Sequence, residues 1–343
     1  MKKHKWLAPV AMAVLVVVTV YVVSRQSATF TAEGFLEYLG SIPAWGLIGA
    51  TACMLGFIVF EGLGLLALCR AMGYPQRGYR GVLYSAADIY FSAITPSATG
   101  GQPASALLMV GDGIPAAVTT VVLLLNLALY NLSLLGVMAG GICIYPQVFS
   151  VFDTPAHVLI VLGVVLHVIL LAGICLLVFH EKIFLRIMNF FLHLGQRLHM
   201  LKGAEARREK LLKIEADYKQ SAGTLHRKMR YILEAFLYNL LQRISVTLVP
   251  AVLYAASIGG MKGAGKLFAI QSMAAVGANS VPVPGAVGVA DYLYLNGYGS
   301  LVADPVNLEL LSRAFSFYIC VLVCAALLLV ALLTQKASRK CDQ

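Results

Sequence analysis

Long apolar runs fill the chain, and polar residues gather between these runs instead of alternating with them. Six stretches are apolar for nearly their whole length: Trp6–Ser24, Ala44–Cys69, Ile114–Ile142, Ala156–Phe179, Tyr231–Ser257 and Val306–Leu333. About 20 such residues in a helix cross a hydrocarbon layer of about 30 Å, so each stretch predicts one crossing. Two further segments, Gly81–Val110 and Leu267–Gly297, are apolar but broken near their middles by Pro and Gly. Proline removes a helical hydrogen bond, and a broken backbone at membrane depth must be satisfied by protein or by a water-filled cavity. The pattern predicts an all-α polytopic membrane bundle of about six crossings with two broken hairpins.

Composition agrees. Of the 343 residues 59% are hydrophobic and 12% charged, against about 25% charged in soluble domains, which excludes a soluble fold. The first run follows Lys2, Lys3 and Lys5 like a signal peptide. However, it is too long for a signal h-region and no small-residue cleavage site follows, so it reads as a retained helix. The net charge of +10 raises the idea of nucleic acid, but the basic residues sit at membrane edges, where anionic lipid headgroups are the natural partners.

Those edges also predict topology. With the N-terminus inside, 21 of the 26 Lys and Arg are cytoplasmic: Lys2, Lys3 and Lys5; Arg70, Arg77 and Arg80; twelve from Lys182 to Arg230; and Lys336, Arg339 and Lys340. Outside lie Arg25, Lys262 and Lys266. This positive-inside bias holds only if each broken segment enters and leaves on the same side, the first from the cytoplasm and the second from outside. Both termini are then expected in the cytoplasm, and the two halves have opposite orientation. Inverted repeats with broken helices at the midplane are a transporter architecture. The whole of 1–343 reads as one membrane domain. Residues 181–230 form a basic cytoplasmic loop that contains an interfacial amphipathic helix, Phe184–Met200, and a solvated helix beyond it.

The polar residues of the broken segments are the candidate substrate path. In the first they are Asp88, Thr95, Ser97, Thr99 and Gln102, set among Pro96, Gly100, Gly101 and Pro103; in the second, Gln271, Asn279 and Asp291 among Pro282, Pro284, Gly285 and Gly288. Two arginines inside crossings join them. Arg243 lies twelve residues into its helix, about 18 Å along the axis, and Arg313 lies two turns into the last span with Glu309 one turn before it. A charge at a helix centre costs about 2.5–3.5 kcal/mol on insertion scales, so both are expected to meet a lipid phosphate or to pair with Asp88 or Asp291. The seven cysteines lack ligand spacing, and no Walker A, HExxH or Gly-x-Ser-x-Gly motif occurs. No cofactor or metal is expected.

The motifs TPSATGGQPASALL and VPVPGAVGVAD resemble those of the lysylphosphatidylglycerol synthase transmembrane-region family, the flippase-like membrane domain of the multiple peptide resistance factor. The likeness runs from about Ala44 to Leu333. In that family the second motif reads Pro-x-Pro-Gly-Gly-x-Gly-x-x-Glu. Pro282, Pro284, Gly285 and Gly288 match it, whereas Ala286 replaces a glycine and Asp291 the glutamate. Many members carry Gly-Glu followed by Arg in the first motif, where this chain has Gly101-Gln102.

The resemblance implies movement of a phospholipid, lysylated or otherwise modified, between leaflets. It also implies, as alternatives, a phosphatidylglycerol lysyltransferase or its membrane subunit, with a separate soluble synthase as partner. The transferase domain of full-length members has no counterpart expected in the ten residues after the last span. A non-transporting scaffold is the bland reading.

Overall fold

The computed structural model describes residues 32–95, 99–179, 228–258, 263–281 and 288–341, with Arg186 and Met261 besides. The expected first crossing, Trp6–Ser24, and almost all of the basic loop lie outside the described residues.

Every regular element among the described residues is helical. A short helix α1 (Ala32–Ser41) leads into α2 (Ala44–Ala71), which is followed by the pair α3 (Gly78–Ile94) and α4 (Gly101–Gly111) and by α5 (Ala116–Ile144). A 3₁₀ turn, Pro146–Val151, connects to α6 (Thr154–Phe179). The second half comprises α7 (Met229–Ile258), the pair α8 (Ala264–Ala278) and α9 (Val289–Tyr298), then α10 (Pro305–Arg313), a π-helical segment Ala314–Ile319 and α11 (Cys320–Cys341). Sequence periodicity foretold neither α1 nor the 3₁₀ turn, because neither carries a long apolar run.

Five helical stretches among the described residues are long and apolar enough to cross a membrane: Ala44–Ala71, Ala116–Ile144, Thr154–Leu176, Met229–Ser257 and Pro305–Thr334. The broken segments are as short as their prolines and glycines require. They have 17 and 11 residues in α3 and α4 and 15 and 10 in α8 and α9, all below the spanning length. Within each pair the two pieces pack on one another.

The most extensive packing joins the halves, α2 against α7. Glycines on α2 explain how closely they approach. A methyl on Gly46 would strike Ala256, one on Gly49 would come 2.8 Å from Val252, one on Gly56 3.0 Å from the Ser245 hydroxyl, and one on Gly64 3.1 Å from Asn239. Ascending numbers on α2 meet descending numbers on α7, so the helices run antiparallel along a seam of small residues. With no hydrophobic drive between helices in lipid, close backbone approach and dispersion contacts supply the association.

Apolar clusters flank this seam. One gathers Leu253, Leu267, Ile270, Met273 and Tyr298, the other Leu65, Leu68, Tyr84, Met109 and Val122. Outward-facing apolar residues concentrate on α6 (Val158, Val161, Val165, Ile169) and α11 (Leu322, Leu329, Leu333), as lipid-facing surfaces should.

Polar ties hold the short helices in place. Ser105 Oγ donates to the Tyr84 carbonyl at 2.5 Å, fixing α4 to α3. After α4, Asp112 accepts from Tyr84 at 2.5 Å and pairs with Arg80 at 3.1 Å. In the second half Tyr298 donates to Gln271 across the α8–α9 pair. Asp153, at the start of α6, accepts from Tyr292 at 2.6 Å and from Asn296 at 2.9 Å, so α9 is clasped to α6.

Candidate functional site

Where the broken pairs meet α2, α5, α6 and α7, the bundle forms a partly open cavity of about 580 Å³. Its polar wall draws on both halves. The first contributes Glu61 from α2, Asp88 and Ser92 from α3, Gln102 from α4, and Asn126, Tyr130 and Asn131 from α5. The second contributes Gln242, Arg243 and Thr247 from α7, Gln271 from α8, Asn279 and Ser280 just beyond it, Tyr294 from α9 and Arg313.

Of the residues expected in the path, the structure brings Asp88, Gln102, Arg243, Gln271, Asn279 and Arg313 to this one wall. Others stand behind it. Gly101 supports Asp88 so closely that a Cβ would collide with the Asp88 carboxylate and the Ser92 hydroxyl. Gly288 has φ +85°, a conformation suited to glycine, and its N–H donates to Asp291 at 2.8 Å. Thr95 serves its own turn: its hydroxyl donates to the Phe91 carbonyl at 2.6 Å and accepts from Gly100 N–H at 2.9 Å. Thr99 and Pro103 are exposed and do not line the cavity. Pro96, Ser97, Pro282, Pro284 and Gly285 lie outside the described residues.

The two arginines have different surroundings. Arg313 bonds to Asp291, as expected of a pairing with that acid, and Glu309 stands one turn away at 3.9 Å. All three are buried. Arg243 pairs with neither Asp88 nor Asp291. Its guanidinium lies 4.2 Å from the Tyr130 ring centroid and 5.1 Å from that of Phe57, and donates to Tyr130 Oη at 3.1 Å. It is only 7% exposed, its Nε has no hydrogen-bond partner, and among the described residues no carboxylate lies within ion-pairing distance of it. Aromatic faces stabilise a desolvated cation by about 2 kcal/mol, less than the several kcal/mol of its desolvation. Its positive charge is therefore only partly compensated by these rings.

Sequence reading missed Glu61, Gln242, Asn126, Asn131 and His167. Glu61 carried a usable signal, since it is the one acid inside the apolar run of α2, and such a residue is costly unless partnered. Ser85 and Gln242 both donate to it at 3.1 Å. Asn239 donates to Asn126 at 3.0 Å between α7 and α5. The His167 ring donates through Nδ1 to the Gly163 carbonyl at 2.7 Å. The backbone is also irregular beside the cavity. Pro250 lies within α7 and leaves the carbonyl of cavity-lining Val246 without its helical donor. The π segment after Arg313 turns Ser316 and Phe317 onto the wall, and π-bulges recur at functional positions. Among the described residues no group of three His, Cys, Asp or Glu is placed to hold a metal ion.

A helical multi-pass bundle whose broken helices from two halves share a polar chamber defines a membrane protein with an internal polar cavity. The model of the lysylphosphatidylglycerol synthase transmembrane region matches residues 6–336; the chain belongs to that family. No curated protein and no solved structure matches it.

Proposed function

We propose that the protein moves a phospholipid, anionic or modified by an aminoacyl group, between the leaflets of the cell membrane. The headgroup occupies the cavity while the acyl tails stay in lipid. Arg243 carries the reading: a buried guanidinium on the cavity wall, with no carboxylate at ion-pairing distance among the described residues, matches a lipid phosphate in charge and in its fork of donors. Burying a headgroup requires compensating polar partners, and Asp88, Gln102, Gln271 and Asn279 surround the same space. The positive-inside bias of the sequence supports a cytoplasmic position for both termini and the basic loop, whose charge suits anionic lipid headgroups.

The test is leaflet-resolved exchange of fluorescent phosphatidylglycerol in vesicles containing the purified full chain. Arg243→Gln is expected to lower the rate at least tenfold with the protein still folded; equal rates in wild type and variant would overturn the reading. The family description also names a synthase, which favours a second reading as the membrane part of a phosphatidylglycerol lysyltransferase. Lysyl transfer from charged transfer RNA to phosphatidylglycerol, dependent on this chain, would favour that reading over transport.

A further inference from the structure

Two acids on the cavity wall, Glu61 and Asp88, are buried, one on each of two packed helices. Both side chains line the same cavity from helices that pack on one another. Their other partners are neutral donors: Ser85 and Gln242 for Glu61, and Ser92 at 3.2 Å and Gln102 at 3.0 Å for Asp88. Among the described residues neither acid forms an ion pair. Two buried negative charges facing one space with no cation at ion-pairing distance among the described residues repel strongly, and holding a proton removes that cost.

From this arrangement we propose that Glu61 and Asp88 form a proton-binding site whose proton travels with the lipid headgroup. The proposal rests on the lipid reading of the cavity and adds its driving force. The charged and titratable groups around the pair come from every wall: Arg243 on α7, Tyr130 on α5, His167 on α6, Tyr294 on α9, Arg313 on α10 and Cys324 on α11. Arg243 is the cation that interacts with Glu61. When the pair loses its proton, its second charge competes with a phosphate for that guanidinium. When the pair holds the proton, Arg243 is free to take the phosphate. Phosphate and proton therefore favour each other's binding, by the same factor in both directions. An anionic lipid carried with one proton moves without net charge, from the acidic side to the alkaline side.

The experiment uses the full chain in vesicles with fluorescent phosphatidylglycerol and a pH difference of one unit. The label is expected to accumulate in the leaflet facing the alkaline side, by up to about tenfold at one proton per lipid. Nigericin, which collapses the gradient, returns the ratio to one. Glu61→Gln, or Asp88→Asn if the first does not fold, abolishes the response to the gradient. Exchange by the wild type that ignores the gradient overturns the proton site and leaves the lipid reading standing.

Absence of any exchange defeats the lipid reading instead. The proton site is then decided by infrared spectroscopy of the reconstituted protein at neutral pH. A protonated-carboxyl band that weakens in Glu61→Gln supports the site, and spectra that do not differ in that band overturn it.

Discussion

The two halves use the same kind of residue to opposite ends. In the second half, Arg313 is bonded to Asp291 with Glu309 one turn away, and Gln271 accepts from Tyr298, so this arginine has its countercharge within its own half. In the first half, Glu61 and Asp88 line the shared space with neutral donors around them, and the nearby cation is Arg243, which the other half supplies. An arginine locked in a carboxylate cluster contributes to architecture. One set between aromatic rings keeps its charge available to a visiting anion.

Breaking the locked cluster should have the largest effect. Arg313→Ala strands two buried acids and is expected to cost about 3–5 kcal/mol, read as a fall in thermal stability in detergent; an unchanged melting temperature would remove the distinction between the arginines. Gly101→Ala pushes a methyl into Asp88 and Ser92 and is expected to cost about 1–3 kcal/mol by overpacking, with lipid exchange slowed because Asp88 is displaced. Arg243→Gln loses about 2 kcal/mol of aromatic contact but sheds a larger desolvation cost, so its melting temperature should hold or rise although exchange falls at least tenfold. That split between stability and function is the sharpest form of the comparison.

The smallest effect belongs to the clasp outside the spans. The Tyr292 hydroxyl, with the Ala156 N–H and Asn296, holds the Asp153 carboxyl below its ordinary range. Its folded-state pKa is thus lower than its unfolded one, so its contribution to stability is present above about pH 4 and fades as pH falls through the folded value. Asp153→Asn should melt slightly below wild type at pH 7, with the gap closing in acid.

Much of this was legible in the sequence for a physical reason: the bilayer admits few backbone solutions. Apolar runs mark α2, α5, α6, α7 and the last span to within two or three residues, and paired Pro and Gly mark where α3–α4 and α8–α9 break. The cost of a lone charge in lipid called for each arginine to meet a phosphate or to pair with Asp88 or Asp291, and Arg313 does pair with Asp291. Two features did not follow. Which arginine would be left without an acid depends on how the helices rotate and pack against one another, which hydropathy along the chain does not specify. The π segment after Arg313 arises from packing and carries no breaker residue to announce it; its sequence AFSFYI reads as ordinary helix. Glu61, the one acid within the apolar run of α2, is legible by the same cost argument that picks out the two arginines.

The glycine seam between α2 and α7 has a mechanical consequence. Where side chains interlock, one helix can slide along another only by changing rotamers, but Gly46, Gly49, Gly56 and Gly64 present almost smooth backbone to their partners. Such a contact resists being pulled apart more than being sheared. It can act as a bearing: the two halves stay in register as a pair while each reorients its own short helices around the chamber, without opening a gap to lipid along their longest line of contact.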